Sequence, residues 1–66
     1  MSAKSKILHF LSDQRPHSKY AIREYVNSWQ DRHYDEQTID RQLQRLDGTI
    51  LRSKRIENIL YYKMNI

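Results

Sequence analysis

The chain is 66 residues long, carries twelve Lys and Arg against eight Asp and Glu, and has a net charge of +4. This length predicts one domain over residues 1–66, near the lower limit at which a hydrophobic core closes without disulfides or metals. The lack of cysteine excludes a disulfide framework and a thiolate zinc site. No apolar run reaches the roughly 18 residues that span a bilayer, and the first residues lack a signal-peptide pattern, so we expect a cytoplasmic protein with no membrane partner. The basic charge favours a polyanionic partner.

Two amphipathic helices are predicted before residue 30. The first runs from Ala3 to about Gln14 with Ser2 as its N-cap, and Pro16 enforces a turn after it. The second runs from Lys19 to Trp29 with Ser18 as its N-cap. Both have apolar residues at helical spacing on one face. These residues are Ala3, Ile7, Leu8, Phe10 and Leu11 in the first helix, and Ala21, Ile22, Tyr25, Val26 and Trp29 in the second.

A third helix is predicted over about residues 35–47, after a polar connection at 30–34. Asp35 is predicted to cap it through its carboxylate, and Glu36 in the first turn suits the positive end of the helix dipole. We expect Gly48 to adopt the left-handed conformation that ends the helix. The apolar stripe that should face the core is Ile39, Leu43 and Leu46.

Beyond Gly48 the apolar period falls to two, which predicts strands at Thr49–Lys54 and Ile59–Asn65 with a hairpin connection over 55–58. We assume the register that pairs Ile50 with Tyr62 and Arg52 with Leu60, because it gathers apolar residues on one face. That face holds Ile50, Leu60, Tyr62 and Met64. The opposite face then carries Leu51, Ile59 and Tyr61.

Three helices followed by a β-hairpin resemble the winged helix-turn-helix superfamily of DNA-binding domains. The most specific portion is residues 38–52: Thr38 and an aliphatic residue, Arg-x-Leu-x-x-Leu from Arg41 to Leu46, glycine, an aliphatic residue, and Arg52 at the start of the wing. Tyr62-Lys63-Met64 resembles the ending of many second wing strands, whereas the connection before Asp35 is longer than the superfamily's pattern. The resemblance implies an α+β, mainly α, fold that binds double-stranded DNA as a phage, plasmid or prokaryotic regulator, for instance a nucleoid-associated repressor.

The resemblance makes the third helix the recognition helix. A projection at about 100° per residue places its polar residues opposite the apolar stripe and its three acids on a flank, although residues 35–48 contain four acids and two bases. Arg reads guanine and Gln reads adenine in the major groove, so Gln37 and Arg41 are the first candidates for base contacts. Gln44 and Arg45, nearer the helix end and within reach of phosphates, come second. The full outward set is Gln37, Thr38, Arg41, Gln44 and Arg45, a composition that an ordinary solvated helix face also has.

Two further groups of residues are candidates for DNA contact. Arg52, Lys54 and Arg55 are predicted to cluster at the tip of the wing, residues 52–58, on phosphates or in the minor groove. The same charges would also protect a β edge from aggregation. Ser18 and Lys19 begin the second helix, where backbone N–H groups and a cation suit phosphate, and Ser18 is equally a plain N-cap.

Other classes of function have less support in the sequence. There is no Gly-rich phosphate loop, nucleophile elbow or paired-acid arrangement, and the three histidines lack metal-ligand spacing, so we predict no enzyme, cofactor or metal site. Trp29 and Tyr25 lie on an apolar helix face, which favours core packing over base stacking. Leu51, Ile59 and Tyr61 predict an exposed apolar patch and a homodimer.

Two alternatives to a sequence-specific regulator stay open. One is a protein-interaction module, an adaptor or inhibitor, that docks a protein partner through the apolar hairpin face or the acidic flank of the third helix. The other is an architectural DNA-binding protein with little sequence preference.

Overall fold

The three helices lie close to where the apolar spacing predicts them. A computed structural model describes all 66 residues: α1 spans Ala3–Phe10 and continues into a 3₁₀ turn at Leu11–Asp13, α2 spans Lys19–Ser28, and α3 spans Glu36–Leu46. Both predicted serine caps are confirmed, because Ser2 and Ser18 accept hydrogen bonds of 3.1 Å from the backbone N–H groups of Ser5 and Ala21. None of the helices has the length and apolar character needed to cross a bilayer.

The N-terminal end of α3 differs in detail from the prediction, and the C-terminal end agrees with it. Asp35 is the N-cap residue, but its carboxylate makes no hydrogen bond to the helix. Its backbone carbonyl instead accepts from the N–H groups of Thr38 and Ile39. At the other end Gly48 is left-handed, with φ +84°, as predicted. Its N–H donates to the carbonyl of Leu51 at 2.7 Å, so the glycine turns the chain into the following strand.

The sheet has three antiparallel strands in the order β1–β3–β2. β1 is His17–Ser18, β2 is Leu51–Ile56 and β3 is Ile59–Met64. β1 was not predicted, because two residues are too few to show a period. β1 pairs with β3 through His17 opposite Tyr62 and so ties the start of α2 to the hairpin.

The predicted hairpin register is wrong. Leu51 lies opposite Met64, and Lys54 lies opposite Tyr61. The connection is a two-residue turn rather than four residues, since Glu57 and Asn58 both have positive φ, 50° and 67°, as in a type I′ turn. The observed register differs from the assumed one by an odd number of positions, and an odd shift exchanges the two faces of a strand.

The corrected register changes which hairpin residues belong to the core. Leu51 is fully buried, whereas Ile50 is 38% exposed. Leu60, Tyr62 and Met64 lie on the inward face of β3 or against the core, as predicted. The core also contains the predicted stripe of α3, and its buried members are Ala3, Ile7, Leu11, Ile22, Val26, Tyr34, Ile39, Leu43, Leu46, Leu51 and Tyr62.

Candidate nucleic-acid interface

The outward face of α3 is exposed along its whole length. Burial of Ile39, Leu43 and Leu46 directs the polar residues between them away from the core. None of the five predicted contact residues takes part in a side-chain hydrogen bond or an ion pair within the chain. These exposed residues are Gln37, Thr38, Arg41, Gln44 and Arg45. Their donors and acceptors are therefore available to a ligand.

Three of these residues form one row along the helix. Gln37, Arg41 and Arg45 are spaced by four residues, which places them on the same side of successive turns. Two arginines at this spacing repel each other slightly, and no carboxylate pairs with either of them. The row therefore presents uncompensated positive charge beside a side-chain amide.

Two of the acids of α3 pair with a cation of α2, although Asp40 borders the same open surface as Gln37, Arg41 and Gln44. Arg23 donates to both carboxylate oxygens of Asp40, with Nε at 3.0 Å from Oδ1, and its Nη1 lies 3.7 Å from Oε2 of Glu36. The hydrogen bond to Asp40 raises the pKa of Arg23 above its ordinary value despite partial burial. The third acid, Asp47, accepts a hydrogen bond of 2.8 Å from the Ser53 hydroxyl. Arg23 therefore pairs closely with Asp40 and loosely with Glu36, and the charges of Asp35 and Asp47 have no cationic partner within the chain.

The connection that orients α3 is fixed by specific contacts. The side-chain amide of Asn27 donates to the carbonyl of Tyr34 at 2.8 Å and accepts from its N–H at 2.7 Å, and the Tyr34 ring is buried in the core. Lys6 of α1 donates to Asp31 at 2.7 Å, which lowers the pKa of that carboxyl below its ordinary value. The long polar connection is therefore anchored to both α1 and α2.

The basic residues of the hairpin do not form the predicted single cluster. The ladder places Arg52 and Lys54 on one face of the hairpin and Arg55 on the other, because side chains alternate along a strand. Arg55 shares its face with Leu51 and lies opposite Leu60, on the side of the sheet that packs against the helices. Only Arg55 therefore projects on the side of α3.

The electrostatic surroundings of Tyr62 agree with this placement. Burial raises the pKa of its hydroxyl, the carboxylates of Asp47 and Asp40 add to the rise, and Arg55 opposes it. Arg55 and the carboxylates of Asp40 and Asp47 are thus close enough to Tyr62 to influence its hydroxyl.

Ser18 and Lys19 lie at the start of α2, as predicted. The Ser18 hydroxyl oxygen already accepts the capping hydrogen bond from Ala21. Lys19 is half-buried, with Nζ 5.4 Å from the centre of the Tyr20 ring. Ser18 is therefore first an N-cap, and Lys19 is the charged group at this helix end.

The aromatic residues of α2 pack between the first two helices. Tyr25 stacks on Phe10 with ring centres 4.5 Å apart, and Trp29 meets Tyr25 edge-on at 6.3 Å. Trp29 also lies 5.4 Å from the ammonium of Lys6. These contacts agree with the predicted packing role rather than with a base-stacking platform.

The predicted self-association patch loses one of its three members. Leu51 was expected on the outer face of the hairpin, but the observed register places it in the core. Ile59 and Tyr61 stay half-buried at the surface. Homodimerisation remains a prediction that only these two residues support.

Two residues important for the charge pattern are not evident from the sequence. Arg23 lies within the predicted α2, and its partner Asp40 is seventeen positions away, so no local spacing reveals the pair. Lys63 lies directly opposite Arg52, a proximity that follows only from the correct register.

No three His, Asp or Glu side chains converge on a point where they would hold a metal ion. The chain matches no known protein family, and no curated protein matches its sequence. Its function must therefore be inferred from the residues of the interface and their geometry.

Proposed function

We propose that this chain is a winged helix-turn-helix domain that binds a specific double-stranded DNA site as a transcriptional or replication regulator, with α3 as the recognition helix. The observation that supports this most strongly is the outward row of α3. Gln37 and Arg41 are exposed there, and their polar groups have no partner within the chain. A helix that bears its acids on a flank and free arginine and glutamine on its front suits a polyanionic groove.

The chemistry of base reading assigns roles within this face. The major groove is about 12 Å wide and admits one α-helix. The Arg41 guanidinium has the fork geometry for O6 and N7 of guanine, and the Gln37 amide matches N6 and N7 of adenine. Gln44 and Arg45, in the last turns of α3, are assigned to the next base or to phosphates. Thr38 is assigned to the same part of the site as its neighbour Gln37.

We assign phosphate contacts to two sites outside α3. Arg55 is at the end of the hairpin on the face that packs against the helices. Lys19 and the free N–H groups in the first turn of α2 form a second phosphate anchor. The predicted contacts from Arg52 and Lys54 require the duplex to reach the opposite face of the hairpin as well, so we assign them no part in the primary interface.

Selection of bound duplexes from a random library, followed by anisotropy titrations on the enriched site, tests the proposal. Arg41→Ala should cost about 1–3 kcal/mol of binding free energy at that site and relax the base preference at one position. Lys4→Ala is the matched control, because Lys4 is an exposed cation on α1 with no ion pair, and it should change affinity little.

Two outcomes would reject this assignment. A library that yields no enriched duplex would exclude sequence-specific binding. An equal loss on enriched and random DNA for Arg41→Ala would favour the architectural alternative, in which the protein contacts only the backbone.

The protein-interaction alternative keeps both of its predicted surfaces, although each is altered. Arg23 neutralises part of the acidic flank of α3 through Asp40 and, more loosely, Glu36. The outer face of the hairpin has lost Leu51 but still exposes apolar side chains, among them Ile56 at 42%. A protein partner is therefore best sought at the hairpin.

A further inference from the structure

One face of the hairpin points away from the helices. The alternation along β2 and β3 assigns six side chains to it, which we call the outer sheet face. They are Arg52, Lys54, Ile56, Ile59, Tyr61 and Lys63. None is an acid, and none belongs to the hydrophobic core cluster.

The charges on the outer sheet face are unbalanced. Arg52 lies directly opposite Lys63, and Lys54 lies opposite the neighbouring Tyr61, so three cations share a small area. Like charges directly opposite each other in a ladder are unfavourable. None of the three forms an ion pair within the chain. The three cations therefore have no counter-charge within the chain, and an anionic ligand would supply it.

Apolar surface lies beside these cations. A groove of about 300 Å³ crosses the face from Pro16, which precedes β1, to Lys54 and Ile56 of β2, with Tyr61 in its lining. Ile56 is 42% exposed, and Tyr61 and Ile59 are half-buried. The groove thus combines a cationic end with an apolar floor.

We propose that the outer sheet face is a docking site for an acidic peptide segment of a partner protein. Carboxylates of the segment would lie between Arg52 and Lys63 and beside Lys54. An apolar side chain of the segment would cover Tyr61 and Ile56. Such an occupant satisfies both the charge and the apolar surface of the groove.

Two other occupants fit this face less well. A DNA backbone would use the three cations but leave Ile56, Ile59 and Tyr61 without contacts, and a duplex seated on α3 lies on the other side of the sheet. A second copy of the chain, docked face to face by a two-fold axis, would place these cations against their own equivalents. Charge complementarity therefore favours an acidic, partly apolar peptide.

The experiment uses the full chain and a short fluorescein-labelled peptide that alternates Glu with Leu and Phe. Arg52→Glu should weaken the affinity for this peptide at least about tenfold, because it reverses a charge at the cationic end of the groove. The fold should survive, since the new carboxylate faces Lys63 across the ladder. Lys54→Gln is a milder second variant, and Lys4→Glu is the matched charge reversal on α1 and should leave peptide binding unchanged.

Duplex binding is measured on the same variants, so that this proposal and the DNA assignment fail separately. Arg52→Glu should leave the affinity for the enriched duplex within about twofold, and Arg41→Ala should leave peptide binding intact. Backbone amide shifts on adding peptide should fall on β2 and β3 rather than α3.

Several results would overturn the docking site. They are no peptide binding, equal binding of a peptide with Gln in place of Glu, or an equal loss for Lys4→Glu and Arg52→Glu. A loss of duplex affinity for Arg52→Glu as large as the loss of peptide affinity would assign the face to nucleic acid. Peptide-independent self-association that Arg52→Glu changes would assign it to a second copy.

Discussion

Lys6 is the one charged side chain in the core, with 0% of its surface exposed. Its ammonium donates to Asp31 and lies 5.4 Å and 5.1 Å from the ring centres of Trp29 and Tyr34. The ring contacts supply favourable cation–π geometry, and the ion pair holds the connection that orients α3. This single residue therefore links α1 to the placement of the candidate interface.

We expect the acid sensitivity of the fold to depend on Lys6. Hydrogen bonding to Lys6 holds the pKa of Asp31 below its ordinary 3.8, so the stabilisation from the pair is complete above that value and disappears as pH falls through the lower, folded-state pKa. Lys6→Met should therefore flatten the loss of stability below about pH 4. At neutral pH Lys6→Met should cost little, because an apolar side chain of similar shape needs no partner.

Urea midpoints measured across acidic pH for wild type and Lys6→Met test this expectation. The pKa of Asp13 is also lowered, by the Arg15 N–H and by His17, so Asp13 contributes to the loss of stability at acidic pH in both proteins. The difference between the two proteins therefore reports on Asp31. Lys6→Ala is the cavity control and should cost about 2 kcal/mol or more at every pH. If the urea midpoints of wild type and Lys6→Met fell equally with decreasing pH, the role given to the Lys6–Asp31 pair would be contradicted.

Burial of single residues was only partly predictable. Lys6 lies three residues after Ala3 and four before Phe10, so helical spacing does place it on the apolar face of α1, but a lysine carries no apolar signal. Tyr34 is an isolated aromatic in a polar segment and shows no period at all. Its backbone is hydrogen-bonded to the side chain of Asn27, and no local pattern in the sequence predicts that contact.

The helices were predicted better than the hairpin, because the spacing of their apolar residues is clearer. Each helix has an apolar stripe and a recognisable cap, which fix both its position and its buried face. In the hairpin, residues 59–62 are all apolar, so alternation alone does not choose which side of β3 faces inward. The turn decides the register, and only Asn58 of its two central residues favours positive φ.

The turn itself offers a test at the scale of the element. Both central residues occupy the left-handed region, which suits Asn-Gly far better than Glu-Asn. The double substitution Glu57→Asn with Asn58→Gly should therefore raise the free energy of unfolding by about 1 kcal/mol, measured by urea denaturation. Glu57→Gln removes the same charge without adding turn preference, and its midpoint should stay near wild type. A double variant no more stable than Glu57→Gln would argue against the type I′ turn and the register that follows from it.

At the scale of the whole molecule, the cations divide between two sides of the sheet. Arg41, Arg45 and Arg55 project on the side of α3, whereas Arg52, Lys54 and Lys63 project on the outer sheet face. The net charge of +4 counts all twelve Lys and Arg against eight acids and does not distinguish the two groups. The sequence predicted most of these residues as one DNA-contacting set, and the corrected register is what separates them.

This division predicts how salt should affect duplex binding. Neutralisation of about five phosphates gives a slope near −4 to −5 in a plot of log affinity against log salt concentration. Arg55→Ala should weaken enriched and random duplexes alike and reduce the magnitude of that slope by about one, because one phosphate contact is lost. Lys54→Ala removes one charge from the outer sheet face and should leave the slope unchanged. A cation that contacts no phosphate releases no counterions from the DNA. Equal slopes for wild type and Arg55→Ala would show that Arg55 contacts no phosphate. An equal reduction in both variants would show that the net charge, rather than the α3 side of the molecule, determines the salt dependence.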